Sequence, residues 1–186
     1  MRTRRLVIIS ALALAMTALT AFLLYYFGSR HAAEKVIKDY LALDSRVVLP
    51  SEYCLENENK TIDEKLLDEL IKSLCKEANA LMTESFAEYY CELISLKMNA
   101  QAAKKYTVSY KERSFQRTVS FSLVSLGEAE IKAEVKQSST EFAMIEGQLH
   151  QYKHQGSDIY LYTFRVKNQG GIWKLDSAEW MQQEGG

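Results

Sequence analysis

Apolar and polar positions follow three different rules along this chain, and the changes of rule divide it. Residues 6–27 obey no period: LVIISALALAMTALTAFLLYYF runs for 22 residues without a charge, behind Arg2, Arg4 and Arg5. A helix of about 20 apolar residues crosses the hydrocarbon layer, so this stretch is expected to span a membrane. After Gly28 a helical period takes over. Ala33, Val36, Ile37, Tyr40 and Leu41 recur at i, i+3, i+4, i+7 and i+8, opposite Glu34, Lys35, Lys38 and Asp39. That predicts an amphipathic helix with one buried face, continuing the membrane helix with little interruption. Pro50 stops any helix before it. Thr61-x-x-Glu64 reads as a capping box ahead of an apolar stripe, Leu66, Leu70, Ile71, Leu74 and Ala78. A second start signal, Thr83-Glu84-Ser85 with Glu88, leads into Phe86, Tyr90, Leu93 and Leu96. Two readings stay open: two helices parted near residues 79–83, or one long bent helix ending near Ala103.

From Tyr106 the period falls to 2. Tyr106, Val108 and Tyr110 alternate with polar neighbours, as do Val119, Phe121 and Leu123, and then Ile131, Ala133 and Val135. Each set reads as a half-buried antiparallel strand. Residues 159–167 and 171–180 are joined by Asn168-Gln169-Gly170-Gly171, a tight-hairpin signal. Residues 141–156 are apolar first and polar later, which suits a strand, a short helix or an excursion. Helices followed by antiparallel strands give an α+β fold, with two to three helices packed on a curved antiparallel sheet. The expected division is a cytoplasmic arm at 1–5, a transmembrane anchor at 6–27 and one folded domain at 30–182.

A positive arm before an apolar run is shared by cleaved signal peptides and uncleaved anchors. A signal peptide has an apolar core of about 7–15 residues followed by a small-x-small site. Here the run is longer, and it ends in Tyr25-Tyr26-Phe27-Gly28-Ser29-Arg30-His31, which offers no such site. An uncleaved anchor is expected, with Tyr25 and Tyr26 at the membrane–water boundary. The arginines then keep the N-terminus in the cytoplasm by the positive-inside rule and put the body outside it.

Charge and cysteines narrow the partners. Net charge over the whole chain is −1, but residues 30–186 hold 20 basic and 24 acidic side chains, a net of −4. A mildly acidic domain lacks the clustered basic surface that nucleic acid requires. Cys54, Cys75 and Cys91 are too few for a disulfide scaffold. One bridge plus a free thiol fits the count, but Cys75 and Cys91 are expected to be reduced and packed on apolar helix faces. His150 and His154 have the i, i+4 spacing of helical metal ligands, yet lie in LHQYKHQGSD, a polar connection, and read as surface residues. His31 reads as a solvated juxtamembrane residue. The acidic run Glu52, Glu56, Glu58, Asp63, Glu64, Asp68 and Glu69 lacks calcium-loop spacing. No catalytic, cofactor-binding or metal-binding residue is assigned.

The tail GSDIYLYTFRVKNQGGIWKLDSAEW, a strand, a Gly-Gly turn and an Ile-Trp-Lys-Leu strand, resembles the closing hairpin of the nuclear transport factor 2-like superfamily. The Gly127-Glu-Ala-Glu-Ile-Lys-Ala-Glu-Val strand and a helix over 86–97 come in the order that superfamily uses. Residues 84–180 are also similar to the small domains preceding the putative amidase domain in secreted proteins of spore-forming Firmicutes. Six residues follow Trp180, so the amidase half is expected to be missing. The resemblance implies a cone-like domain, a Gram-positive source and a cavity between sheet and helices. Tyr90, Tyr106, Tyr160, Tyr162 and Trp173 are candidates to line that cavity, with Tyr40 and Asp176 as further ones. The architecture is also similar to bitopic scaffold subunits of type IV secretion and conjugation machines. The expected function is a non-catalytic binding or scaffold domain in a cell-envelope, sporulation or secretion assembly, engaging a protein partner or itself. The alternative is a small-ligand binding protein or an enzyme. That alternative requires a closed apolar pocket holding a buried carboxylate or histidine.

Overall fold

The computed structural model describes residues 2–55, 60–153 and 158–181, with side chains from residue 9 onward except at 110, 111, 152, 153 and 181. Glu56, Glu58 and His154 lie outside the described residues. The architecture is α+β: a long apolar N-terminal helix, two further helices and a strongly curled antiparallel sheet shaped as a half-barrel.

Helix α1 runs unbroken from Arg2–Asp44. The expected membrane stretch and the expected amphipathic helix are therefore one element. Every described side chain from Ile9 to Leu24 is exposed, whereas Ala33, Val36, Ile37, Tyr40, Leu41 and Leu43 are buried in the core. Helix α2, Glu64–Leu81, and helix α3, Glu84–Ala102, form an antiparallel pair, which settles the open choice in favour of two helices. Their corner is pinned to the sheet. Met82 bridges Leu175, the Thr83 amide donates to the Leu175 carbonyl at 2.8 Å, and the Thr83 hydroxyl donates to Asp176 at 2.9 Å. The capping-box expectation at Thr61 is corrected: Asp63 is the N-cap, its carboxylate accepting from the amides of Lys65 and Leu66. A carboxylate one residue before the helix suits the positive end of its dipole.

The sheet holds β1, Tyr106–Ser125; β2, Glu128–Ile145; β3, Gln148–Lys153; β4, Asp158–Gln169; and β5, Ile172–Met181. Its order is β1-β2-β4-β5, with β3 pairing the outer part of β2 beyond β4. Two of the expected strands, around Tyr106 and around Val119, are one strand of 20 residues. Register shifts at Phe115/Arg117 and Thr118/Ser120 interrupt its alternation. Val119, expected on the buried face, is consequently 51% exposed, while Phe115, Phe121 and Leu123 pack against the core. Bulges also bend a strand and raise its twist, which helps so long a ribbon to curl.

α1 lies in the hollow of this sheet. Along its length β1 runs back beside it: the Arg113 side chain pairs with Asp44, Lys38 sits over the Phe115 ring, Thr118 donates to Glu34, and Tyr26 packs edge-on against Phe121. At the lower end the Tyr25 hydroxyl donates to the Leu126 carbonyl. The core between α1, the α2–α3 pair and the sheet is closed by Ile131, Val135, Phe164, Val166 and Leu175, with Ala78, Ile94 and Met98 from the helices.

Candidate functional site

A cavity of about 540 Å³ opens between α1, α3 and the upper sheet. α1 contributes Tyr40 and Asp44 to it. From α3 come Phe86, Tyr89, Tyr90, Leu93 and Lys97, spaced so that successive turns face the sheet. The strands add Arg113, Gln137, Ser139, Glu141, Tyr160, Tyr162 and Trp180. Tyr89 and Trp180, 60% and 57% exposed, mark its open side.

The floor is a buried polar network centred on Asp44 and Arg113. Asp44 is 3% exposed and forms an ion pair with Arg113, whose side chain is 8% exposed. The Tyr90 hydroxyl donates to Asp44 Oδ1 at 2.5 Å. Arg113 Nη2 donates to the Tyr162 hydroxyl at 3.1 Å, and that hydroxyl donates onward to Gln137 Oε1 at 3.3 Å. The Arg113 guanidinium also lies 5.9 Å from the Tyr162 ring centre. Asp44 is the last residue of α1, where the helix dipole disfavours an anion and no basic residue shares the last turn. The counter-charge comes instead from β1, across the core. A buried pair of this kind adds little net stability, but losing one partner strands the other charge and costs about 3–5 kcal/mol.

Toward the other end of the cavity, burial lowers the Lys97 ammonium from its usual range, with Glu141 working the other way. Burial raises the Tyr106 phenol, and Glu141 adds to that. The Tyr160 phenol is raised by burial and then by Asp158. Asp44 with Arg113 and Lys97 with Glu141 leave the cavity with balanced charge between aromatic walls. Among the described residues, neither histidine nor cysteine lines it. Among the described residues no three of His, Cys, Asp and Glu converge as metal ligands.

Of the sequence candidates, the structure brings Tyr90, Tyr160 and Tyr162 together in this cavity, along with Tyr40. Tyr106 is half-buried beyond its lining, and Trp173, 8% exposed, belongs to the core. Asp176 faces elsewhere: Lys167 pairs with it at 2.8 Å and Thr83 donates to it. Asp44 and Arg113 carry the floor, and sequence reasoning missed both. An acid closing a helix whose last turn holds no base was a signal available. His150 is exposed on β3 and His31 is exposed on α1. The three cysteines are free thiols, with Cys75 and Cys91 packed against the core as expected.

The fold has a solved counterpart. The crystal structure of the intermembrane space region of chloroplast protein ARC6 is similar, with a TM-score of 0.51 and 8% identity, over 81% of this chain and 95% of that one. At that identity the likeness concerns fold alone. No protein family model matches the chain, and no curated protein matches it in sequence. Among the described residues, one helix is long and apolar enough to cross a membrane, and it is the N-terminal one.

Proposed function

We propose that this protein is a single-pass membrane protein whose nuclear transport factor 2-like domain binds a protein partner and performs no catalysis of its own. Its N-terminus is cytoplasmic and its body extracytoplasmic, held there as a scaffold in a bacterial cell-envelope, sporulation or secretion assembly. The observation that carries this reading is the single helix α1, which passes from an exposed apolar stretch straight into the core. A binding domain on such a helix has a fixed position relative to the bilayer, which a scaffold needs and a diffusing enzyme does not. The solved structure of similar fold is itself titled an intermembrane space region.

A second reading is favoured by one feature. The cavity contains a buried carboxylate, Asp44, within an aromatic wall, which suits a small ligand with apolar and hydrogen-bonding parts. Asp44 is already paired with Arg113, so this carboxylate is committed to a base on the cavity floor. A photo-reactive residue at Tyr89, on the open side, separates the readings. In native membranes a scaffold gives a discrete protein adduct there. A co-purifying small molecule with no protein adduct would favour the pocket reading. A reporter fused at the C-terminus, active only outside the cytoplasm, tests the orientation.

A further inference from the structure

Three large apolar side chains at one end of the sheet serve no core: Val124, Leu126 and Ile172 are 66%, 79% and 63% exposed. They sit at the tips of two hairpins, β1–β2 and β4–β5, which are tied together by the Asn168 amide donating to the Gly127 carbonyl at 2.7 Å. Isolated exposed apolar residues are ordinary. These are not isolated from the apolar helix, because the Tyr25 hydroxyl donates to the carbonyl of Leu126 itself.

Tyr25 lies two residues inside the last apolar position of the 6–27 run. A helical side chain also leans toward the N-terminus, here toward the bilayer centre. The Leu126 tip is thereby held at or below the level where the apolar run ends. Length leads to the same place. The domain first touches α1 at Tyr25 and Tyr26, leaving residues 6–24 for the span, about 28 Å of helix against a hydrocarbon layer of about 30 Å. No slack remains to lift the tips clear of the surface. Directly behind the tips the character changes to charge: Lys167 pairs with Asp176 at 2.8 Å and with Glu128 at 4.0 Å. An apolar edge backed by a charged collar matches the profile of a membrane interface.

We infer that the β1–β2 and β4–β5 hairpin tips form a membrane seat, with Val124, Leu126 and Ile172 inserted among lipid headgroups beside the exit of α1. This rests on the reading of α1 as a membrane span. The seat adds second and third points of attachment, so the domain stands upright with β3 and the outer end of β2 farthest from lipid. The cavity opens above the bilayer.

The test uses the full chain, with Cys54, Cys75 and Cys91 replaced by alanine, reconstituted in phosphatidylethanolamine–phosphatidylglycerol vesicles. Leu126→Cys, Ile172→Cys, Phe22→Cys and Leu149→Cys variants each carry a polarity-sensitive fluorophore, and quenching by spin-labelled lipid is read. All four sites are exposed, so none is needed for folding. Labels at 126 and 172 are expected to be blue-shifted and quenched at least about half as strongly as the label at 22, with the label at 149 unaffected. If 22 is quenched while 126 and 172 behave like 149, the seat is overturned and the anchor stands. If 22 is not quenched, the anchor reading fails and the seat falls with it.

Discussion

The two halves of α1 are built by the same backbone for different solvents. Between Ile9 and Leu24 the helix is mostly apolar, carries no charge and is exposed at every side chain. Between Ser29 and Asp44 it is apolar on one face only, and that face is the spine of the domain. The first half needs hydrocarbon around it; the second needs the sheet. Nothing but the side-chain pattern marks the change, since the hydrogen-bonded helix continues through it. On the proposed reading, that continuity gives a rigid link between membrane and cavity.

Substitutions that treat the halves alike should have unlike results. The largest effect is expected at the buried end. Asp44→Ala leaves buried Arg113 without its counter-charge and should cost about 3–5 kcal/mol in urea unfolding of the detergent-solubilised chain. The double variant Asp44→Leu with Arg113→Met should recover most of this. If it remains as unstable as the single variant, the loss does not come from a stranded charge. Next comes the direct contrast. Ile37→Ala, at a fully buried position, should cost about 2–5 kcal/mol, whereas Leu14→Ala, 77% exposed in the span, should leave the domain's unfolding midpoint unchanged. Equal losses at both would mean that the upper span is packed against protein.

Smaller effects sharpen the picture. Asp63→Ala should cost about 1 kcal/mol through the lost cap of α2, and Thr61→Ala almost nothing. Gly28 sits inside α1 with open space where a Cβ would go, so Gly28→Ala should stabilise the junction by about 0.4–1 kcal/mol. Last is a pH effect. Burial, then the neighbouring Cys75 thiol, pushes the Cys91 thiol up to about 12. In the unfolded chain a thiol ionises near pH 8.5. The stability tied to Cys91 is thus complete below about pH 8.5 and is lost progressively as pH rises toward 12. Cys91→Ala should flatten the alkaline limb of the stability–pH curve.

What could be read from the sequence was whatever repeats locally. The apolar run, the i, i+3, i+4 stripe of α1, the order of helices before strands and the Gly170-Gly171 hairpin each declare themselves within a dozen residues or so. β1 was harder, because bulges break the alternation on which a strand is recognised, and Val119 on the wrong face is their mark. The N-cap was misplaced because Thr61 and Asp63 are both capping residues and only geometry chooses between them. Four tyrosines that line the cavity, Tyr40, Tyr90, Tyr160 and Tyr162, were among the candidates implied by the resemblance. Asp44 and Arg113 escaped because their pairing joins the end of α1 to the middle of β1. Arg113 lies in a polar stretch, KERSFQR, that reads as surface.

Amide hydrogen exchange on the full chain in lipid nanodiscs tests the continuity of α1 most directly. The account predicts unbroken protection from the lipid-covered half through Gly28 and Ser29 into residues 33–43. Rapid exchange confined to residues 26–31, with protection on either side, would show a hinge there, and the domain could not then be held rigidly by its anchor.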